Sequence, residues 1–340
     1  SGGCKCQTDV AVCMEMRTMK LGTTDIDISP IALGTWAMGG GDSWGDSDPS
    51  LAIQTVHQAL ELGINFIDTA PAYGNGLSEQ LLGTALQGKR NQAVLATKCG
   101  LVWGSDDEGS VHKSRDGVII RRNLSKHSIL KQVEESLGRL KTDYIDLLLT
   151  HWQSIPPFHT PIEETIETFE LLRQQGKIRS YGACNVSLDE LKAYQKYGTP
   201  SLVQERFSLL TRAKTDIAGY CAENQITFQA YSPLERGVLT GKQALSQSVV
   251  GTAKASVVWY KSENRTKVLA LLTSLETLAE KSKTSVGNLV IAWTRQSTST
   301  MNVLCGARKP SQIEENSKAQ ELVITAKDWA IIDSLARTLL

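Results

Sequence analysis

No apolar run in this 340-residue chain approaches the roughly 18 residues that a membrane-crossing helix needs. None has the form of a signal-peptide core either, so the expectation is a soluble, cytoplasmic protein with no membrane partner. Excess charge is missing too: 36 Lys and Arg balance 36 Asp and Glu. That balance gives no reason to expect nucleic acid or an acidic surface as a partner, although it leaves room for a local basic pocket. Histidine is scarce at 5 residues, with no close carboxylate–histidine ligand set, which argues against a metal-dependent hydrolase. A Gly-x-Gly-x-x-Gly turn after the first strand is absent as well. Gly39-Gly40-Gly41 does not match it and no helix is expected to open there, which weighs against an open, doubly wound dinucleotide fold.

Cysteine is present in an odd number, 7, so at least one thiol cannot pair within the chain. Cys99, Cys184, Cys221 and Cys305 are far apart, mostly in or beside apolar runs, and read as buried reduced thiols. Cys4, Cys6 and Cys13 match no standard zinc spacing, and no metal is expected. They lie in a stretch with little hydrophobic pattern, so residues 1–19 read as a disordered leader or an artificial extension and 20–340 as the folded domain.

Within 20–340 short apolar runs alternate with segments of helical period. Strands are expected at 28–34, 63–68, 93–97, 145–149, 178–183, 202–204, 226–231 and 302–305. Helices are expected at 49–62, 77–86, 126–140, from Pro161 to Gln175, after a Ser187/Glu190 capping box, and finally at 327–336. The polar stretch 104–123 reads as a loop. Alternation over this length implies an α/β fold with a parallel sheet, and about eight units imply a closed (β/α)8 barrel of one domain with an extra C-terminal helix.

Ionisable residues end several of these strands. Asp68, Lys98 and His151 each follow an apolar run, and Tyr73 lies just past the first of them. The C-terminal ends of the strands are where such barrels keep their chemistry. A phenol near an ammonium can donate a proton, because a neighbouring cation favours tyrosinate. Lys98 would tune Tyr73, Asp68 would hold Lys98, and His151 would orient a substrate oxygen by a hydrogen bond.

Ordered motifs then point to one family. Gly34-Thr35-Trp36, the run from Asn65 through Asp68 and Tyr73 to Gly74, Thr97-Lys98, Thr150-His151-Trp152, Tyr231-Ser232-Pro233-Leu234 and Gly306-Ala307-Arg308 with Gln312, Glu315 and Asn316 resemble the aldo-keto reductases. The stretch 150–158 further resembles the bacterial branch that includes methylglyoxal-reducing members. The resemblance implies NADP(H), with NAD(H) as the alternative, and a small carbonyl substrate. It implies Asn185 and Gln204 on the nicotinamide carboxamide, with Cys184 where Ser is common, and Phe207 stacked on the ring. It implies Ser232, Leu234, Gly237, Leu239, Gly241 and Lys242 around the pyrophosphate. Thr35, Trp36, Tyr231, Pro233 and Gly306 fall in the same cofactor-binding motifs. Arg308, with Lys309 beside it, suits a 2′-phosphate, and Lys254 stands where relatives commonly place an Arg over the adenine. Trp36, Trp103 and Trp152 would wall the substrate pocket. A nucleotide-binding regulatory protein with slow turnover, as among potassium-channel β subunits, is the alternative function. Nothing in the sequence selects an oligomeric state.

Overall fold

Leu147, Leu148 and Leu149 are all buried, yet they pack on opposite sides of one strand. Leu147 and Leu149 join Ala32, Phe66, Ala96, Leu202 and Leu304 in a cluster inside the barrel, and Leu148 joins the layer between strands and helices. A strand buried on both faces has no polar alternation to show, which is why these segments read as continuous apolar runs.

The computed structural model describes residues 17–340. Eight strands form the barrel: Ile31–Gly34 (β1), Phe66–Asp68 (β2), Val94–Cys99 (β3), Ile145–Thr150 (β4), Ile178–Cys184 (β5), Leu202–Arg206 (β6), Thr227–Tyr231 (β7) and Met301–Gly306 (β8). Each pairs in parallel with its neighbours in sequence, and β8 pairs with β1, so the sheet closes. The expected architecture is therefore the observed one. All strand C-termini share one end, and the loops that follow them build the site.

The other end is sealed by a short antiparallel hairpin, Met19–Lys20 with Asp27–Ile28, absent from the expected series. Gly22 N–H donates to Thr227 Oγ1 at 2.8 Å and Ser29 N–H to Asn65 Oδ1 at 2.7 Å, tying the hairpin to the starts of β7 and β2. Met19 thus belongs to the fold, and the single strand expected over 28–34 is broken at Ser29-Pro30. Cys4, Cys6, Cys13 and the rest of the expected leader up to residue 16 lie outside the described residues.

The helix expectations hold with small shifts. Pro161 is the N-cap of Ile162–Gln174 instead of its first turn, and the C-terminal helix spans Ala326–Arg337. The Ser187/Glu190 capping box is formed in both directions, at 3.1 and 2.8 Å. Between β7 and β8 lie Arg265–Lys281 and Val286–Arg295, helices the expected series had passed over. A four-residue helix, Gly41–Trp44, also opens where none was expected.

Residues 104–123 do not form an irregular loop: Ser110–Arg115 and Val118–Arg122 pair as a hairpin that adds to Leu101–Val102. Asp116 and Gly117 form its turn at φ 50° and 73°, the mirror-image geometry that suits strand twist. Four cationic side chains on this sheet had masked its strand character. Among the described residues no helix is long and apolar enough to cross a membrane.

Candidate active site

The four residues expected to carry chemistry converge. Lys98 Nζ donates to Asp68 Oδ1 and Oδ2 at 2.9 and 2.8 Å, to the Thr69 carbonyl at 2.8 Å, and to Tyr73 Oη at 3.1 Å. Lys98 and Asp68 are buried side by side behind Tyr73. Tyr73 reaches them because the loop after β2 turns at Gly74, φ 63°, where a Cβ would stand 2.4 Å from the Gly39 carbonyl oxygen. Only glycine allows that approach. It sets the Tyr73 ring 6.3 Å from Trp36 and edge-on to His151 at 5.8 Å.

The electrostatics follow from burial and these partners. Burial pushes the Tyr73 phenol up to about 12; Lys98 opposes the rise and Asp68 adds to it. The expected lowering by the ammonium is thus real but smaller than the burial effect, and Tyr73 keeps its proton at neutral pH. Burial disfavours the Lys98 charge, but Asp68 and then Tyr73 more than offset it, so its pKa is raised. Burial, and next the Lys98 charge, hold His151 well below the usual imidazole range. A neutral imidazole still carries one N–H donor.

Behind the quartet a row of amides crosses the barrel interior. Gln204 Nε2 donates to Asp68 Oδ1 at 2.9 Å and to Gln229 Oε1 at 2.6 Å. Gln229 Nε2 donates to Asn302 Oδ1 at 2.8 Å, and Asn302 Nδ2 to the carbonyls of Ser29 and Pro30 at 2.8 and 3.1 Å. Gln204 therefore spends both N–H groups inward, and its Oε1 accepts the Cys184 thiol at 3.5 Å. Asn185, at φ 56°, donates to the His151 carbonyl and accepts from Tyr231 Oη, each at 2.8 Å.

A cavity of about 590 Å³ opens in front of Tyr73, His151, Trp36 and Trp152 and runs to Gln312, Glu315 and Asn316. Asn185, Gln204, Tyr231, Ser232, Pro233 and Leu234 line its middle, with Gly237, Gly306 and Arg308 beyond them. Other expected contacts are elsewhere. Phe207 is buried behind the sheet, stacked at 6.2 Å on Trp293, and Tyr231 is the aromatic that faces the cavity. Leu239 is fully buried, Lys242 pairs with Glu276 at 2.9 Å, and neither they nor Gly241 line the cavity. Trp103 packs with Ala72, Leu101 and Ile120, outside the cavity wall. Thr35 supports the site from behind, donating to the Asp68 carbonyl at 2.8 Å, and Lys309 is exposed away from the cavity. Cys99, Cys184, Cys221 and Cys305 are all buried free thiols.

Sequence reading missed part of the wall. His112, Lys113 and Arg115 come from the unexpected antiparallel sheet, Trp44 from the short helix after β1, and Arg236 from a left-handed turn after β7. The Asp116-Gly117 pair was the one available signal for the sheet. Lys254 does line the cavity, and its pKa is lowered by burial and by nearby Arg308, which marks two cations at one end. Gly306 offers open space there: a Cβ on it would meet nothing within 4 Å.

Known proteins match along almost the whole chain. A model of the aldo/keto reductase family matches residues 30–337. The NADH-specific methylglyoxal reductase of Escherichia coli is 41% identical over 95% of this chain and 99% of its own. The aldo-keto reductase YhdN of Bacillus subtilis is 34% identical over 94% of this chain and 93% of its own. Among solved structures, a glycerol dehydrogenase from Gluconobacter oxydans superposes with a TM-score of 0.85 at 33% identity, covering 96% of this chain and 97% of that one.

Proposed function

The chain belongs to the aldo/keto reductase family and is an NAD(P)H-dependent oxidoreductase, and from that premise we propose that it reduces small aldehydes and ketones to alcohols, using NADPH by preference and Tyr73 as the proton donor. The observation that carries this reading is the Lys98 ammonium, held by both Asp68 oxygens and in contact with Tyr73 Oη at 3.1 Å.

The cavity residues fit a nicotinamide dinucleotide. Arg308 and Lys254 put two cations at the end farther from Tyr73, and Gly306 leaves that floor open. Asn185 and the remaining acceptor capacity of Gln204 suit the carboxamide, Tyr231 offers the ring face, and Ser232, Leu234 and Gly237 offer backbone for phosphate. When bound there, the nicotinamide supplies the hydride that no side chain can.

The protein's own groups do the rest. His151, neutral, donates its N–H to the carbonyl oxygen and fixes its direction toward Tyr73. Tyr73 Oη then gives its proton to the oxygen as negative charge develops. Lys98 stabilises the phenolate left behind, and Asp68 keeps Lys98 charged and in place. Trp36 and Trp152 give the substrate end two aromatic walls.

Tyr73→Phe is the direct test. Turnover of small aldehydes should fall by about 10²–10⁴, the usual worth of a positioned acid, while NADPH still quenches tryptophan fluorescence. Near-normal kcat in that variant would refute the assignment.

A further inference from the structure

We propose that Lys113 and Arg115 bind a carboxylate on the substrate, so that the preferred substrates are small aldehydes or ketones that also carry a carboxylate. This rests on the carbonyl-reductase reading and names the substrate class for it.

The strand Ser110–Arg115 is placed by two contacts that bracket the reacting groups. His112 packs on Trp152 at 5.1 Å, next to His151. Arg115 Nη2 donates to Asn75 Oδ1 at 2.9 Å, two residues beyond Tyr73. Lys113 lies between these anchors. In a regular strand His112 and Lys113 would face opposite sides. The pairing with Val118–Arg122 shifts register between Val111 and Lys113, and His112, Lys113 and Arg115 all line the cavity. Bulges are used next to active sites to re-aim side chains in this way.

The charges so gathered are not balanced. Among the described residues Lys113 has no carboxylate within 4 Å. Arg115 Nε lies 3.6 Å from Asp116 Oδ2, with Asp42 also near, but it is buried without a hydrogen bond, and Asp116 Oδ1 is taken by the Asp42 N–H at 2.9 Å. Burial and repulsion from Arg115 and Arg236 together lower the Lys113 pKa, so these cations press on one another. Arg236 also lines the cavity, its guanidinium 5.0 Å from the Trp36 ring, but its Nη1 is engaged by Ser256 and the Ala253 carbonyl. The only carboxylate among the described cavity-lining residues, Glu315, lies at the far end with Gln312 and Asn316. An anion between Lys113 and Arg115 would relieve the repulsion, and Arg offers a fork that fits a carboxylate. The cofactor's phosphates are served by a separate group of cavity residues, around Arg308, Lys254 and Gly237. Lys113 and Arg115 flank Tyr73 and His151, where the carbonyl must sit.

The experiment compares two substrates of nearly one shape, 4-formylbenzoate and 4-formylbenzamide, by kcat/KM with NADPH and with NADH. The carboxylate should be preferred by about tenfold or more, the worth of a charged hydrogen bond. The preference should shrink in high salt, where the Debye length drops to about 3 Å. It should fall severalfold in Lys113→Gln and again in Arg115→Gln. Because the ratio is read, a general loss of activity in either variant cancels. A wild-type ratio at or below one, or a ratio that both substitutions leave intact, overturns the carboxylate site while the reductase reading stands. Turnover of neither aldehyde overturns both.

Discussion

Gln204 Nε2 lies 2.9 Å from Asp68 Oδ1 and shares that oxygen with Lys98 Nζ, so the barrel interior is bonded to the residue that holds the ammonium against Tyr73. The direction of this bond is set at the opposite end of the barrel. The Ser29 and Pro30 carbonyls can only accept, so Asn302 must turn its Nδ2 to them and its Oδ1 to Gln229. Gln229 must then donate to Asn302 and accept from Gln204. Gln204 is left with N–H for Asp68.

That polarity is testable at Gln229. Gln229→Met keeps the volume but leaves Gln204 and Asn302 each short of a partner, and kcat/KM should fall by roughly five- to a hundredfold. Gln229→Glu should be worse at neutral pH, because it sets a second acceptor against Asn302 Oδ1. It should recover as pH is lowered and the new carboxyl gains a proton to donate. Equal, pH-independent activity in the two variants would show that Gln229 only fills space.

The pH profile of reduction should lack a limb from Tyr73 near neutrality. The donor is the protonated phenol, and burial has moved it up to about 12. Loss of the proton therefore begins well above neutral pH, and the rate with saturating aldehyde should stay level to about pH 10. A descending limb near pH 7 that disappears in Tyr73→Phe would contradict this placement.

Arg308 should separate the two cofactors. It lines the cavity near Lys254, and its Nη1 donates to the carbonyls of Trp44 and Asp46 at 3.1 and 3.3 Å. Arg308→Gln should weaken NADPH by about 10- to 100-fold, in line with lost charged hydrogen bonds to phosphate. NADH affinity should change far less. Equal losses for both would mean that Arg308 does not read the 2′-phosphate.

Glu205 predicts a pH-dependent stability. Its carboxylate is buried, accepts the Val186 N–H at 2.6 Å and has Lys214 at 3.4 Å. Burial raises it from 4.5 to about 7, against the pull of Val186 and Lys214. The folded state therefore binds the proton more tightly than the unfolded chain. The resulting stability is fully present below pH 4.5 and is lost as pH rises through 7. Glu205→Gln cannot ionise, so its unfolding free energy relative to wild type should climb by up to about 3 kcal/mol between pH 4.5 and 8. Denaturant melts at several pH values give the difference; a flat difference would rule the shift out.

Which aromatic lines the cavity was not legible in the sequence. Phe207 follows Gln204-Glu205-Arg206 and Tyr231 follows Phe228-Gln229-Ala230, and nothing in the one-dimensional pattern says which ring faces the cavity. Phe207 lies just past the end of β6, where the chain turns its ring back against Phe228 and Trp293. Tyr231 is still within β7 and keeps the inward direction. Lys242 and Trp103 likewise lie off the cavity wall, since motif position fixes a residue's neighbourhood along the chain but not the side to which it points. The sheet over 101–122 was missed because cations occupy positions that alternation would reserve for apolar side chains.

The barrel and the quartet are legible in the local pattern. Apolar runs with an ionisable residue at their C-terminal ends can be satisfied only by parallel strands buried on both faces, and closure then brings Asp68, Lys98 and His151 to one rim, with Tyr73 delivered by the turn at Gly74. Their surroundings come from contacts that no local pattern encodes. The amide row from Gln204 to Ser29, the burial that outweighs Lys98 at Tyr73, and the Lys113–Arg115 pair over the cavity all depend on residues far apart in the chain. Their interactions arise from through-space distance and exclusion of water, and neither quantity is written in local periodicity.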